Sequence, residues 1–288
     1  MLDLLRRIWL RKSAAIGLIV VLLIVLVALL APLIAPEDPN RQDLMGRLQS
    51  PNWEHWLGTD SFGRDQLSRL IFGARISLMV GVVAVALAAV LGGVIGLLGG
   101  YYGGGIDNVL MRLIDVLMAF PTLLLAIVFL AMLGERLGGL SNIMVAVGVA
   151  STPHFARLVR GQVLSLKEQD FVEAARALGG SAGRLMVRHI LVNSLSPVIV
   201  FATLRVATVI LTEASLSFLG LGVPPPTPTW GGMVAEGTRF LQRAPWLSLI
   251  PGVAIMVTVL AFNLFGDGLR DALDPKLRGV GDVSARDY

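Results

Sequence analysis

Few of the side chains that could do chemistry in this chain can act together. His55, His154 and His189 lie far apart along the sequence, which argues against a metal site, and there is no cysteine. The chain contains no Gly-x-x-x-x-Gly-Lys-Ser/Thr loop for a nucleoside triphosphate, no His-Glu-x-x-His zinc helix and no Gly-x-Ser-x-Gly nucleophile turn. We therefore do not expect an enzyme.

Two charged residues, Arg205 and Glu213, interrupt an otherwise apolar stretch. Ionisable groups inside a membrane are costly and often functional. On one helix, a separation of eight residues places them about 80° apart and about 12 Å along the axis, so they cannot pair directly. Both alternatives stay open: they line a translocation path, or each is held in place by another helix.

The polar stretch of residues 170–179, between two apolar segments, is the third candidate. Asp170 and Glu173 form a capping-box pattern that starts a helix, residues 174–178 are good helix formers, and Gly179 offers a left-handed stop. This pattern predicts a short exposed helix. This helix either binds another protein or covers the end of the helix bundle.

A second short helix is predicted directly after this stretch. Ser181 can cap it, and it would continue through His189. Pro197 would then stand near the start of the next membrane helix. Both short helices would lie outside the membrane.

The elements that carry these residues belong in a membrane. The 288 residues are 55% hydrophobic and only 15% charged, with mean hydropathy +0.75, whereas soluble domains have about 25% charge. The first apolar run is too long for a signal-peptide core, so we expect it to be retained. Six stretches approach the roughly 20 apolar residues that cross a bilayer, namely residues 14–34, 76–98, 114–133, 143–159, 197–219 and 249–265.

The distribution of basic residues predicts the orientation of these helices. With the N-terminus inside, the inner side holds 15 of the 24 Lys and Arg residues, which favours both termini in the cytoplasm. Residues 161–196 then form a long inner loop. No clustered basic patch with stacking aromatics is present, so we expect membrane lipid and no nucleic acid as a partner.

Local patterns predict how helices 2 and 3 pack. Gly92, Gly96 and Gly100 give two Gly-x-x-x-Gly spacings, which we expect to pack inside the subunit, with a contact to a partner subunit as the alternative. A turn at residues 99–105 would join the two helices, and a proline at position 121 would kink helix 3 or set its start. Arg112 and Asp115 have the spacing of an i,i+3 ion pair.

The inner loop resembles that of permease subunits of ATP-binding-cassette importers. The Glu-Ala-Ala…Gly motif of that family matches Glu173-Ala174-Ala175 and Gly179 here. The resemblance implies that residues 170–179 form a coupling helix that docks into a groove on an ATPase subunit. Its implied ATPase-coupling residues are Glu173, Ala174, Ala175, Arg176 and Gly179.

A finer resemblance covers nearly the whole chain. Residues 55–65, 213–222 and 261–276 are similar to the dipeptide/oligopeptide/nickel group, and within it to the second, six-helix permease subunit. One departure is Ile190-Leu191-Val192-Asn193, where the group has Ile-Leu-Pro-Asn. The missing proline affects the direction in which the chain enters helix 5.

The resemblance implies an all-α integral membrane protein with six transmembrane helices, a type I importer permease fold and a cytoplasmic coupling helix. It implies three regions: residues 1–75 with the first helix and outer loop, a core of residues 76–275 with the coupling loop 161–196, and a cytoplasmic tail of residues 276–288. Its implied location is the bacterial cytoplasmic (inner) membrane.

The implied partners are a homologous permease, two ATP-binding-cassette ATPase subunits and an extracytoplasmic substrate-binding protein. ATP and Mg would be bound by the ATPase subunits, and this chain would hold no cofactor. Dipeptides or oligopeptides are the expected cargo, with nickel chelates and glutathione as alternatives. A self-sufficient ion-driven carrier is the rival class, but the sequence shows no internal repeat of the kind common in such carriers.

Overall fold

The computed structural model of the chain describes residue 9, residues 11–134 and residues 136–273. The predicted tail of residues 276–288 lies outside this part. Nine long or medium helices, one short 3-10 helix (Leu44–Gly46) and no strand element are found in the described residues, so the all-α prediction is confirmed. The helices are α1 (Lys12–Ile34), α2 (Gln66–Tyr102), α3 (Gly104–Met118), α4 (Thr122–Leu133), α5 (Gly139–Leu166), α6 (Asp170–Ala177), α7 (Ala182–Phe218), α8 (Trp230–Thr238) and α9 (Trp246–Leu273).

Fewer than six helices qualify as membrane spans by length and composition. In the described part, α1, α2, α7 and α9 are long and apolar enough, and α3 with α4 makes a fifth if that bent pair is one crossing. The predicted span 143–159 lies in α5, which has 28 residues but is not apolar enough by itself. Its polar Asn142, Ser151 and Thr152 are buried inside the bundle, so they face protein rather than lipid.

The predicted helix 3 is not one continuous span. It is broken between α3 and α4, whose axes differ by 100°. Pro121 immediately precedes α4, so it sets the start of that helix, one of the two predicted roles. Helix α2 also continues through Tyr102 and ends at Gly103, whose φ of +66° suits glycine, so the predicted turn at 99–105 is much shorter than expected.

The glycines of α2 pack against α5 inside the subunit, as predicted. A Cβ atom at Gly92 would lie 2.6 Å from the carbonyl oxygen of Thr152, and one at Gly96 would lie 2.8 Å from the backbone nitrogen of Arg160. No larger residue fits this seam without moving the helices apart. Gly100 continues the same seam one turn further along α2.

One end of the bundle gathers the start of α1, the end of α9 and helix α6. Arg11 forms an ion pair with Asp271, which joins the start of α1 to the end of α9. Val172 of α6 packs with Val163 at the end of α5 and Ile190 near the start of α7. Ala14 of α1 also clusters with Val200 of α7 and with Leu269 of α9, so α6 lies at the same end as the start of α1.

Helix α7 replaces two predicted elements. The expected second short helix and the expected fifth membrane helix form one continuous helix of 37 residues, with π-helical geometry at Leu185–Leu191. Ser181 precedes it but makes no side-chain capping bond, and Pro197 lies inside the helix rather than at its start. The helix also passes Val192, where the related group has a proline, without a break.

Candidate functional site

Helix α6 forms as predicted, but it starts one residue earlier than the capping pattern implied. Asp170 is the first helical residue, Gln169 occupies the capping position, and no side chain caps the helix, so the capping-box interpretation was wrong. The backbone N–H of Val172 instead donates to the Gln169 carbonyl at 2.9 Å. Asp170 and Glu173 place two negative charges in the first turn, where they interact favourably with the helix dipole.

A single side chain fixes α6 to the bundle. Val172 is fully buried in a cluster with Val159, Val163 and Ile190, which come from the end of α5 and the start of α7. Burial of a valine of this kind contributes about 1.5–3 kcal/mol. The helix therefore lies on the ends of two membrane helices and presents its other sides outward.

The predicted coupling residues lie mostly on these outward sides. Glu173, Ala174, Arg176 and Gly179 are exposed, and Ala175 is half-buried. All five can be reached, in whole or in part, by another protein.

An apolar residue on the outward side was missed by the sequence analysis. Leu178 directly follows α6 and is 89% exposed, and Phe171 is also exposed. Their separation of seven residues, with Ala174 and Ala175 between them, is the i, i+3, i+4, i+7 pattern of an apolar helix face. That spacing was a signal in the sequence, and exposed large apolar groups of this kind mark contact surfaces.

The two glycines after α6 are required for different reasons. Gly179 has φ +81°, and a Cβ atom there would meet no neighbour within 4 Å, so conformation alone selects glycine. At Gly180 a Cβ atom would lie 2.7 Å from the carbonyl oxygen of Ala175, so close packing excludes larger residues. The left-handed stop predicted at Gly179 is therefore confirmed.

Two ion pairs attach α3 to α5. The Arg160 guanidinium donates two hydrogen bonds of 2.6 Å to the Asp107 carboxylate, and Arg157 donates to Asp115 at 2.6 Å. The predicted pair of Asp115 with Arg112 is wrong, because Asp115 uses the guanidinium of the neighbouring helix. The Asp107–Arg160 pair was not predicted, and it is the more buried of the two.

Arg205 is half-buried on α7 and rests on an aromatic ring. Its guanidinium carbon lies 5.0 Å from the ring centre of Phe201, which packs edge-on against Phe155 of α5 with ring centres also 5.0 Å apart. Stacking of this kind favours a guanidinium and fixes its position. Arg205 and Glu213 are not brought together, as predicted from their spacing.

Glu213 is fully buried where three helices meet. Its Oε1 atom accepts a hydrogen bond of 2.7 Å from Ser217, whose hydroxyl lies 3.4 Å from that of Thr229. The backbone N–H of Trp230 donates to Ser77 at 3.3 Å, so the end of α7, the start of α8 and α2 are joined here. The second oxygen of Glu213 has no hydrogen-bond partner among the described residues.

A buried charged cluster at the opposite end from α6 was also missed. Arg64 donates to Asp60 at 2.6 Å and to both carboxylate oxygens of Glu236, at 2.9 and 3.0 Å. Arg69 lies 3.3 Å from the Asp60 carboxylate. The i,i+4 spacing of Asp60 with Arg64 was a signal, but Glu236 on α8 is 172 residues away from Arg64.

This cluster anchors the segment between α1 and α2. Asp65 caps α2 by accepting from the Ser68 backbone N–H at 2.7 Å, and it also contacts His55 at 3.0 Å. The backbone N–H of Glu37 donates to the Ser68 hydroxyl at 3.0 Å. Hydrogen bonds and ion pairs therefore hold the segment between α1 and α2 in a defined conformation. In the part of the chain that the structure describes, no group of three or more His, Cys, Asp or Glu side chains could hold a metal ion.

Several membrane helices and an exposed amphipathic helix at one end define a multi-pass membrane protein with a surface suited to contact another protein. The family described as binding-protein-dependent transport system inner membrane component matches residues 92–279, and the N-terminal transmembrane domain of oligopeptide transport permease C matches residues 1–51. The chain belongs to this family of permease subunits of ATP-binding-cassette importers. Its members are non-catalytic, multi-pass proteins of the bacterial inner membrane.

Curated relatives match over nearly the full chain. The dipeptide transport system permease protein of Alkalihalophilus pseudofirmus is 46% identical over 93% of this chain and 87% of that protein. The glutathione transport system permease proteins of Pectobacterium atrosepticum and Escherichia coli are 46% and 49% identical, over 94% and 95% of this chain and 90% of each of theirs.

Solved structures confirm the type I importer permease fold. An inward-facing structure of the MetNI methionine ABC transporter aligns with a TM-score of 0.60 at 18% identity, covering 72% of this chain and 97% of that one. An amino acid ABC transporter with histidines aligns with a TM-score of 0.55, covering 71% and 94%.

Proposed function

We propose that this chain forms half of the translocation path of an ATP-driven importer of dipeptides or oligopeptides. The observation that carries the proposal is the match of 93% of the chain to a dipeptide permease. Glutathione is the second candidate cargo, because relatives that are 49% identical are named glutathione permeases. Measuring whether the substrate-binding protein of this importer binds dipeptides or glutathione distinguishes the two.

The proposed complex contains a homologous permease, two ATPase subunits and an extracytoplasmic binding protein. The end that carries α6 faces the cytoplasm, and both termini lie on that side. The excess of basic residues on that side supports this orientation.

The absence of cysteine allows a direct test of orientation. Leu178 and Trp53 are 89% and 97% exposed and lie at opposite ends of the bundle. In intact cells, a membrane-impermeant maleimide should label Trp53→Cys but not Leu178→Cys. After the cells are lysed, the maleimide should label both variants. The reverse pattern would refute the orientation.

We further propose that α6 is the coupling helix, with Glu173, Ala174, Ala175, Arg176 and Gly179 at the ATPase interface. Their exposure supports this role, and the burial of Val172 provides the stiff attachment that coupling needs. ATP-driven closure of the ATPase dimer would push on α6. The packed helices would then move as near-rigid bodies between two states of the path.

Mutations on α6 test the coupling role. Glu173→Lys and Gly179→Leu should reduce co-purification of the ATPase subunits and uptake while leaving membrane insertion intact. Glu54→Lys makes the same charge change on an exposed residue at the opposite end and should leave ATPase association unchanged. If both α6 variants bind the ATPase subunits and transport cargo as wild type does, the coupling role is refuted.

The two charged residues of α7 receive different proposed roles. The half-buried Arg205 is a translocation-path residue, whereas the full burial of Glu213 supports the structural alternative. The rival class, an ion-driven carrier, predicts uptake into vesicles by the purified chain without ATP or partners. We expect no such uptake.

A further inference from the structure

A stripe of polar side chains runs along one face of α7. Arg205, Thr208, Thr212 and Ser215 follow one another at spacings of three, four and three residues, which keeps them within about 80° of arc over about 15 Å. Thr208 and Ser215 are exposed, and Arg205 and Thr212 are half-buried. Lipid tails offer no hydrogen bonds to such a face, so the stripe is suited to a water-filled path.

Two of the three hydroxyl groups of the stripe are already oriented. Thr212 donates to the Thr208 carbonyl at 2.9 Å, and Ser215 donates to the Leu211 carbonyl at 2.8 Å. Each hydroxyl therefore keeps its lone pairs free as acceptors on the open face. The stripe combines one permanent positive charge with several neutral acceptors.

Arg205 holds its charge without a carboxylate partner. Among the residues that the structure describes, no carboxylate lies within 4.0 Å of its guanidinium. By contrast, Arg157 and Arg160 of the neighbouring α5 each have an aspartate at 2.6 Å. A guanidinium is charged at every accessible pH and is costly inside a membrane, so an unpaired one calls for a ligand.

The surroundings of Arg205 resemble a prepared anion site. The ring of Phe201 supports one face of the guanidinium, and Phe155 supports that ring in turn. Arg205 is thus held in place by two rings that pack against each other, one from its own helix and one from α5.

We propose that Arg205 binds the carboxylate of a peptide as it passes along the polar stripe of α7. The planar guanidinium matches a carboxylate through two parallel hydrogen bonds. Every linear peptide with a free C-terminus carries this group whatever its side chains, so the site would serve cargo of varied sequence. This inference rests on the proposed peptide importer.

The test compares a dipeptide with its C-terminal amide. Uptake of each is measured in vesicles that contain the complete importer with its binding protein, and the ratio of acid to amide uptake is taken for wild type and Arg205→Gln. Because the binding protein is the same in both, its own preference cancels. The ratio should fall by about tenfold in Arg205→Gln, as expected for the loss of a charge-assisted hydrogen bond, and by less in Arg205→Lys.

Thr203→Val is the matched control, because Thr203 lies on α7 about 160° around the axis from Arg205 and should not affect the ratio. An unchanged ratio in Arg205→Gln with intact ATP-dependent uptake would overturn the site and leave the importer standing. If the second permease is lost when the Arg205→Gln complex is purified, Arg205 pairs with a carboxylate of that permease. This result would also overturn the peptide site. If the wild-type complex shows no ATP-dependent peptide uptake, the proposed function itself fails.

Discussion

The seam between α2 and α5 predicts opposite effects for the same substitution at adjacent glycines. In Gly92→Ala the new Cβ atom would lie 2.6 Å from the Thr152 carbonyl oxygen, whereas ordinary contacts begin at 3.4 Å, so the helices must separate by about 0.8 Å. Overpacking of this kind costs about 1–3 kcal/mol. In Gly93→Ala the Cβ atom meets nothing within 4 Å.

The pair of variants isolates packing from helix propensity. Both substitutions gain the same backbone preference of about 1 kcal/mol, since both positions lie inside α2. Gly93→Ala should therefore be slightly more stable than wild type, and Gly92→Ala less stable than Gly93→Ala by about 1–3 kcal/mol. Thermal unfolding of the purified chain in detergent should show midpoints that differ by a few degrees.

Equal midpoints for Gly92→Ala and Gly93→Ala would refute the seam. They would mean that α2 and α5 separate without strain, so their close approach would not depend on glycine. A lower midpoint for Gly93→Ala than for Gly92→Ala would place the contact on the wrong face of α2.

Three further predictions concern polar groups that the bundle holds in place. Asp107→Asn removes the charge that pairs with Arg160 and should lower stability by about 1–2 kcal/mol, an effect that high salt should reduce, measured by unfolding at two ionic strengths. Arg64→Ala leaves Glu236 without its closest cation and should make the segment between α1 and α2 more sensitive to limited proteolysis. Glu213→Gln keeps an acceptor for Ser217 and should retain transport, whereas Glu213→Ala should lose stability and uptake together.

Membrane helices that face lipid were predictable from hydropathy. Helices that are surrounded by other helices were harder to predict. Helices α1, α2, α7 and α9 are recognised from hydropathy alone, because their exposed faces must be apolar. Helix α5 is enclosed by its neighbours and can carry Ser151 and Thr152 at buried positions, which lowers its mean hydropathy. Its window was found in the sequence, but composition alone does not distinguish it from a buried soluble helix.

Local rules failed where a distant group offered a better partner. Arg112 has the right spacing for Asp115, yet Arg157 of α5 takes the aspartate, and only the packing of α3 on α5 could reveal this. Asp170 and Glu173 satisfied a capping pattern, but the helix begins one residue earlier, and the Val172 backbone N–H donates to the Gln169 carbonyl. Short-range patterns therefore predicted the presence of a helix correctly more often than its first residue or the partners of its charged side chains.

The helix of the candidate site was predictable from the sequence, but which of its side chains are buried or exposed was not. The exposed helix and the left-handed Gly179 followed from propensity and conformation, which are local properties. Val172 and Leu178 are both aliphatic, and which of them is buried depends on where α5 and α7 end. The polar stripe of α7 was visible as a periodic pattern, but only burial shows which face of the helix is open.

The π-helical turn of α7 determines which way the side chains further along that helix point. It lies between α6 and Arg205, and everything beyond it is one uninterrupted rod. Converting that turn to regular α-helix would change the register by one residue, turning every side chain downstream by about 100° and advancing it by about 1.5 Å. Such a rearrangement would therefore point Arg205, Thr208, Thr212 and Ser215 to a different side of α7, without any change in the helix beyond the turn.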